Sequence, residues 1–362
     1  MSFGTLNADT ITNSNGLSGN AIGPGFKNRI INGNMRIDQR NAGAAVTADN
    51  AFSVDRFQIG NSTDGAFSAQ QDSSAPTGFV NSVKVTTTTA DGTLTTTQAL
   101  QFRQSIEGTN VADLGWGTAN AKTVTLSFWV RSSLTGTFGG ALRNSAANRS
   151  YPFTYSISVA DTWEYKTVTV AGDTTGTWLT TTGVGIQVTF GLGAGPDRSG
   201  TAGSWSGSAL VSATGAVSVI GTLNATWYIT GVQLEVAPSA TSFDYRPFGT
   251  ELALCQRYFE TSYDSGTAVP TNTQNGAIWF CPTGTRLVYS YPFKVTKRAS
   301  PTTVFYSPAD SATGNYRNDT GATNVSVATG GILGTNFLYM YKTSGATDQT
   351  ECNVHFSAAS EL

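Results

Sequence analysis

The chain has 362 residues, of which only 12% are charged, and 21 Lys and Arg against 23 Asp and Glu leave a formal charge of −2. So neutral a surface excludes a broad field that would attract nucleic acid or acidic membranes. No basic n-region with an apolar run follows Met1, and no apolar stretch reaches the ~18 residues of a membrane span, so neither a signal peptide nor membrane insertion is expected.

Forty glycines, with many Thr, Ser and Asn, are the composition of short strands joined by tight turns. Nineteen Phe, thirteen Tyr and seven Trp supply the apolar area that a disordered chain lacks. Cys255, Cys281 and Cys352 are far apart, with no CxxC or zinc spacing, and are expected as buried reduced thiols.

Residues 1–25 are polar, Gly-rich and nearly uncharged, too short to close a core. They read as an arm ordered by a partner or as a loose tail. The next stretch, "NRIINGNMRIDQR" (28–40), places arginines among isoleucines around an Asn-Gly pair. Asn32-Gly33 is expected to supply a left-handed bend or bulge, with Met35 and Ile37 inward and Arg36 and Asp38 outward. Arg40 and Arg56 are expected to pair with carboxylates such as Asp55 or Asp38.

From residue 26 to 249 strand and turn alternate. "VNSVKVTTTT", "ALQFRQSI" and "KTVTLSFWVRSS" carry period-two patterns; in the last, Val124, Leu126, Phe128 and Val130 share one face. "FTYSISVADTWEYKTVTVAGD" reads as two strands around a hairpin at "ADTW", "TTGVGIQVTFGLGAG" as a strand, and "GLGAGPDRSG" as a long mobile loop. "ATWYITGVQLEV" closes the region, with Ile229, Val232, Leu234 and Val236 as core. "TELALCQRYFETS" (250–262) has helical spacing after Thr250 as N-cap and reads as a linker helix. Residues 263–362 hold about six more strands. The predicted fold is all-β: an N-terminal extended arm, a jelly-roll β-sandwich, a short helical linker and a smaller C-terminal β-sandwich.

Catalytic signatures are missing from the sequence: no GxSxG, HExxH, P-loop or Rossmann fingerprint occurs. The single histidine, His355, is expected at a surface or subunit contact. Paired carboxylates are the remaining enzymatic route, drawn from Glu107, Asp113, Asp161, Glu164, Asp173, Asp197, Glu235 and Asp244. Trp116, Trp178 and Trp205 lie in Gly/Thr/Ser-rich segments. An indole beside small hydroxyl residues offers a flat face and hydrogen-bond partners to a sugar, so these three are the candidate glycan contacts; the alternative is that each folds back as a lid on the sandwich edge. Trp129, Trp163, Trp227 and Trp279, on strands or their ends, are expected to pack in the core. No metal site, cofactor or catalytic residue is expected.

These residues also carry a resemblance. "NRIINGNMRIDQR" with "SVDRFQIG", "TVTLSFWVRSSLTGTF", "ADTWEYKTVTVAGDTTGTW" and "ITGVQLEVAPSATSFDYRPFGTELALCQRYF" resemble successive strands of bacteriophage tail-fibre and tail-spike-like virion proteins, whose domain is similar to CenC-like carbohydrate-binding jelly rolls. "YPFKVTKRASPTTVFYSP" and "HFSAASEL" resemble their small C-terminal fibre domain, and "FGTLNADTIT" resembles short virion-anchoring starts. The resemblance implies a homotrimeric virion appendage, assembled in the host cytoplasm. Residues 1–25 would anchor it to other virion proteins, with Phe3, Leu6 and Ile11 as contacts. Residues 26–249 would form the jelly roll, 250–262 the linker, and 263–362 the tip domain facing host-surface polysaccharide. An assembly-only decoration protein and a glycan depolymerase are the competing readings.

Overall fold

A computed structural model describes residues 11–12, 18–19, 26–280, 286–327, 334–343 and 351–362. Phe3, Leu6 and Cys281 lie outside the described residues. Ile11 lies in β1 (Ile11–Thr12), a two-residue strand antiparallel to β2 (Ser18–Gly19).

The large unit is a sandwich of two antiparallel sheets. One has six strands: β3 (Phe52–Val54), β4 (Phe57–Asn61), β7 (Ala99–Glu107), β9 (Gly136–Arg143), β10 (Ser150–Ile157) and β12 (Val184–Ala194), in the order β10-β9-β12-β7-β4-β3. The other has five: β5 (Ala66–Asp72), β6 (Ser82–Thr89), β8 (Val124–Ser132), β11 (Glu164–Val170) and β15 (Thr226–Glu235), in the order β11-β8-β15-β6-β5. The chain switches sheet repeatedly, as a jelly roll does. Alternation along each strand sends one set of side chains inward; Val124, Leu126, Phe128 and Val130 are fully buried, as their spacing predicts. Phe102, Phe128, Phe190 and Trp227 meet edge-on or tilted across the sandwich. Each such side chain stabilises the fold by about 1.5–3 kcal/mol. Trp227 donates its indole N–H to the Tyr155 hydroxyl at 3.1 Å, so its one polar atom is satisfied inside the core.

Several expectations for this region need correction: Val236, expected in the core, is 39% exposed, and Trp129 and Trp163 are only half-buried. The strands flanking "ADTW" are not a hairpin: β10 pairs with β9 and β11 with β8, so the connection arches from one sheet to the other. Asp161, at φ +54, makes the bend and its N–H bonds the Ser132 carbonyl at 2.7 Å. "GLGAGPDRSG" is mostly regular structure and not one long loop: β12 runs to Ala194, and a 3-10 turn follows at Pro196–Arg198. A two-residue parallel pairing then joins β13 (Ser199–Gly200) to β14 (Ser212–Ala213).

Residues 28–40 form no strand, yet they are fastened to the sandwich. Asn32 takes φ +59 and Met35 φ +56, and Met35 and Ile37 are buried while Arg36 is exposed. Helix α1 (Phe248–Gln256) begins two residues before the expected Thr250, with Pro247 in the N-cap position. After it the chain turns directly into β16 (Phe259–Thr261) rather than continuing as linker.

The C-terminal unit is built on β23 (Cys352–Ala359). It pairs with β16, β17 (Ile278–Phe280), β19 (Thr302–Tyr306) and β20 (Asn315–Asn318). The last of these also pairs with β21 (Thr323–Ser326), while β18 (Arg286–Pro292) pairs with β22 (Phe337–Thr343). Cys255 and Cys352 are both fully buried, as expected. Trp279 is 49% exposed on β17, not packed as expected. His355 is fully buried, not at a surface. Its Nε2 lies 2.9 Å from the Thr273 carbonyl and its Nδ1 2.9 Å from Ser262 Oγ, which itself accepts the Phe356 N–H. A neutral ring with the proton on Nε2 satisfies all three groups, and burial lowers its pKa in the same sense. Lys297 and Glu260 form an ion pair with both side chains fully buried.

The two units meet around "QR" and "DRF". Arg40 pairs with Asp55 and with Glu361, Arg56 pairs with Glu361, and Arg257 pairs with Glu107 at 2.7 Å. Both motif arginines thus serve the junction, and Asp55 is one partner, as expected. Ile31, Ile37, Cys255 and Tyr258 make a small apolar cluster beneath.

Burial pushes the Asp55 carboxyl up from 3.8 to about 6, against the lowering influence of Arg40. The folded chain therefore holds this proton more tightly than the unfolded chain. The resulting stabilisation, roughly 3 kcal/mol, is complete below pH ~4 and is lost as pH rises through about 6. Melting curves of wild type and Asp55→Asn between pH 4 and 7 check this. The wild type should lose stability relative to the variant as pH rises, and parallel curves would refute the assignment.

Candidate functional site

The three candidate tryptophans come from separate segments and meet. Ring centroids lie 4.7 Å apart for Trp116 and Trp178, 5.3 Å for Trp116 and Trp205, and 5.4 Å for Trp178 and Trp205, all near perpendicular. Edge-to-face packing of this kind adds about 0.5–1.5 kcal/mol per pair beyond area burial. Each indole N–H is spent on a backbone carbonyl: Trp116 on Lys122 at 2.8 Å, Trp178 on Thr175 at 3.2 Å and Trp205 on Ala171 at 3.0 Å. Trp116 is only 7% exposed, at the centre of the cluster, whereas Trp178 and Trp205 are half-buried.

Tight turns bring these segments together. Gly117, at φ +86, stands against the Gly176 carbonyl and the Trp178 ring, where a side chain would not fit. Arg149 makes a two-pronged ion pair with Asp173 at 2.7 Å per bond, and its guanidinium lies 5.8 Å from the Trp205 ring centre. Burial raises the Asp173 carboxyl, but the bonds from Arg149 and Thr175 outweigh it and leave the pKa below the ordinary range. Trp205 is therefore held by Trp116, Trp178, Tyr151 and a fixed arginine.

Beside Trp205 opens a cleft of about 630 Å³. Asp197, Ser199, Thr201, Ser204 and Ser206 line it together with the indole. The hydroxyl row was legible only as composition, in "DRSGTAGSWSGS"; that it faces one cleft depends on β13 and β14 folding the segment back on itself. Trp178 and Trp116 border a smaller, mainly apolar cleft of about 170 Å³ with Leu114 and Leu179.

The other candidate carboxylates are engaged structurally. Glu107 bonds Arg257 and Tyr258, Asp113 pairs with Arg29, Asp161 with Arg131, and Glu164 with Lys166. Glu235 accepts from Gln233 and Thr241, and Asp244 faces Arg246. Asp197 is the one that borders an open cleft with an aromatic wall. Among the described residues no cluster of three or more His, Cys, Asp or Glu could hold a metal.

No family model matches the chain, and no curated protein matches it. Among solved structures it is similar to the enzymatically active domain of bacteriophage CBA120 tailspike protein 4, at 12% identity and TM-score 0.31; the match covers 58% of this chain and 22% of that one. A putative sugar-binding protein from Bacteroides thetaiotaomicron matches at 10% identity and TM-score 0.29, over 58% of this chain and all of its own. The family 11 carbohydrate-binding module of Clostridium thermocellum with a mixed-linked tetrasaccharide matches at 12% and 0.27, over 55% of this chain and 99% of its own. The chain spans less than a quarter of the tailspike domain's length. Likeness at these scores carries no argument, and the architecture stands on the strand pairings above.

Proposed function

We propose that this chain is a glycan-binding subunit of a bacteriophage tail fibre or spike, acting as a homotrimer without catalysis and anchored to the virion through residues 1–25. One observation carries the glycan reading: an indole braced by other rings lines a cleft together with five hydroxyl side chains, a carboxylate and the apolar Pro196 and Leu210. That pairing suits a pyranose, which presents C–H faces to an aromatic and O–H groups to small polar side chains. The sequence resemblance supplies the virion context. Individual contacts of this kind are weak, and three copies on one axis would raise them to useful avidity.

Competition with phage for adsorption to host cells tests the reading. Purified chain is expected to block adsorption, and Trp205→Ala to weaken the block by about tenfold. Saturating protein that leaves adsorption unchanged would return the chain to an assembly-only role. New reducing ends released from host polysaccharide would make it a depolymerase.

A further inference from the structure

The outer face of the six-stranded sheet carries a further cleft, of about 300 Å³, which segment 196–213 borders as it does the Trp205 cleft. Arg103 on β7 and Arg143 on β9 reach it from positions that alternate with core residues Phe102 and Leu142. Arg198, from the 3-10 turn, joins them. The segment can lie across the sheet because Gly139 and Gly191 have no side chains where Ser212 crosses.

These three share with Arg36 and Arg298 the lack, among the described residues, of a carboxylate within ion-pair distance, but here three such guanidiniums line one cleft. In this sparsely charged chain, Arg29, Arg40, Arg56, Arg131, Arg149, Arg246, Arg257 and Arg317 all have a carboxylate within ion-pair distance. Arg103, Arg143 and Arg198 have only neutral acceptors. Arg103 donates to Gln58 Oε1 at 2.9 and 2.7 Å and to Asn50 Oδ1 at 2.7 Å. Arg143 donates to Gln187 Oε1, and Arg198 to the Thr97 carbonyl at 3.1 Å. Amide oxygens aim the guanidiniums without neutralising them.

Asp49, the one carboxylate lining the cleft, accepts the Asn61 N–H at 2.6 Å and an Asn50 amide hydrogen at 2.8 Å. Three half-buried cations thus converge on a single acid. The cost shows at Arg143, whose guanidinium is pulled down to about 10 by burial and by the charges of Arg103 and Arg198. An anion entering the cleft would relieve that repulsion and accept unspent N–H groups in a planar fork.

We propose that this cleft binds the anionic group, carboxylate or sulfate, of an acidic polysaccharide. The inference rests on the glycan reading and gives it a ligand class: an acidic residue seated among Arg103, Arg143 and Arg198, its polymer continuing past the segment that also borders Trp205.

The test is affinity electrophoresis of the full chain in gels containing polygalacturonate, its fully methyl-esterified form, dextran sulfate, dextran, or poly-glutamate. At least one acidic polysaccharide should bind about tenfold more tightly than its uncharged counterpart, and that advantage should shrink as salt is raised. Whichever of polygalacturonate and dextran sulfate binds better identifies the anion. Arg143→Gln keeps an amide donor near Gln187, and Arg198→Gln lies on a surface turn; both should remove the preference while thermal melting stays close to wild type. Equal binding of charged and neutral polymers, or a preference untouched in both variants, overturns the proposal and leaves the glycan reading standing. Arginine-dependent binding of poly-glutamate matching that of the acidic sugars upholds an anion cleft and sinks the glycan reading.

Discussion

Glu361→Gln is expected to destabilise the chain by roughly 3 kcal/mol, because it strips the carboxylate from a buried arginine. Glu361 accepts Arg40 Nη2 at 2.8 Å through one oxygen and pairs with Arg56 through the other. Arg40 keeps Asp55 and the face of Phe259 after the change, and so loses little. Arg56 is 3% exposed, and what it retains is neutral: the Ser105 carbonyl and the ring of Tyr258, 3.5 Å away. Breaking one side of such a pair costs more than the pair is worth, since the remaining charge stays buried without a partner. The double variant Arg56→Met/Glu361→Gln should therefore recover much of the loss in a double-mutant cycle. Urea unfolding measures both. Because this carboxylate joins the last residues of the C-terminal unit to the first sandwich, the single variant should also split one unfolding transition into two. A loss below about 0.5 kcal/mol, within the range of ordinary surface changes, would show that the pair contributes nothing.

The same junction shows what can and cannot be read from a sequence of this kind. That Arg40 and Arg56 would serve carboxylates followed from low charge and from their place among apolar neighbours. That the carboxylate would be Glu361, at the far end of the chain, had no local signal. Strand identity was readable wherever one face is buried, as in Val124–Val130, because period two is imposed by the pleat. Sheet membership was not: an arch between sheets and a hairpin within one both present two alternating runs around a polar turn, and "ADTW" is the former. Residues 315–318, Asn-Tyr-Arg-Asn, pair with β21, and the last two with β23, without β-branched residues, so propensity did not mark them. His355 alternates with polar neighbours and read as surface, but the face it shares is covered by Tyr263, stacked 3.8 Å away, and by the Thr273 carbonyl. The tryptophans were legible as loop residues; that they brace one another, leaving Trp205 with a cleft, depends on contacts distant in sequence. Arg103, Arg143 and Arg198 come from three separate elements; sheet register brings the first two together, and the turn at Pro196–Arg198 adds the third.

Gly33→Ala should cost about 3 kcal/mol, and the reason lies in a fault in the partner strand. The register of β15 against β8 shifts between Thr230 and Gln233, a bulge in which Gly231 takes φ +62. Val232, inside the bulge, turns its peptide groups toward residues 28–33: its N–H donates to the Gly33 carbonyl at 2.9 Å, and its carbonyl accepts the Asn28 side chain at 3.0 Å. Asn28 Oδ1 in turn accepts the N–H groups of Ile30 and Leu234. A Cβ on Gly33 would stand well inside contact with the Val232 carbonyl oxygen, an atom of the central strand of its sheet that cannot step aside. Alanine must therefore break the bond to Val232 or shift β15, and either course leaves buried peptide groups unpaired. Gly92→Ala is the control, since nothing lies within 4 Å of its added methyl; there the change should be neutral or slightly stabilising through reduced unfolded-state entropy. Thermal or urea unfolding of the two variants decides the matter. If Gly33→Ala melts with Gly92→Ala, the Asn-Gly pair is an ordinary turn; if it falls several degrees below, the pair is a plug that completes the bulged strand of the first sandwich.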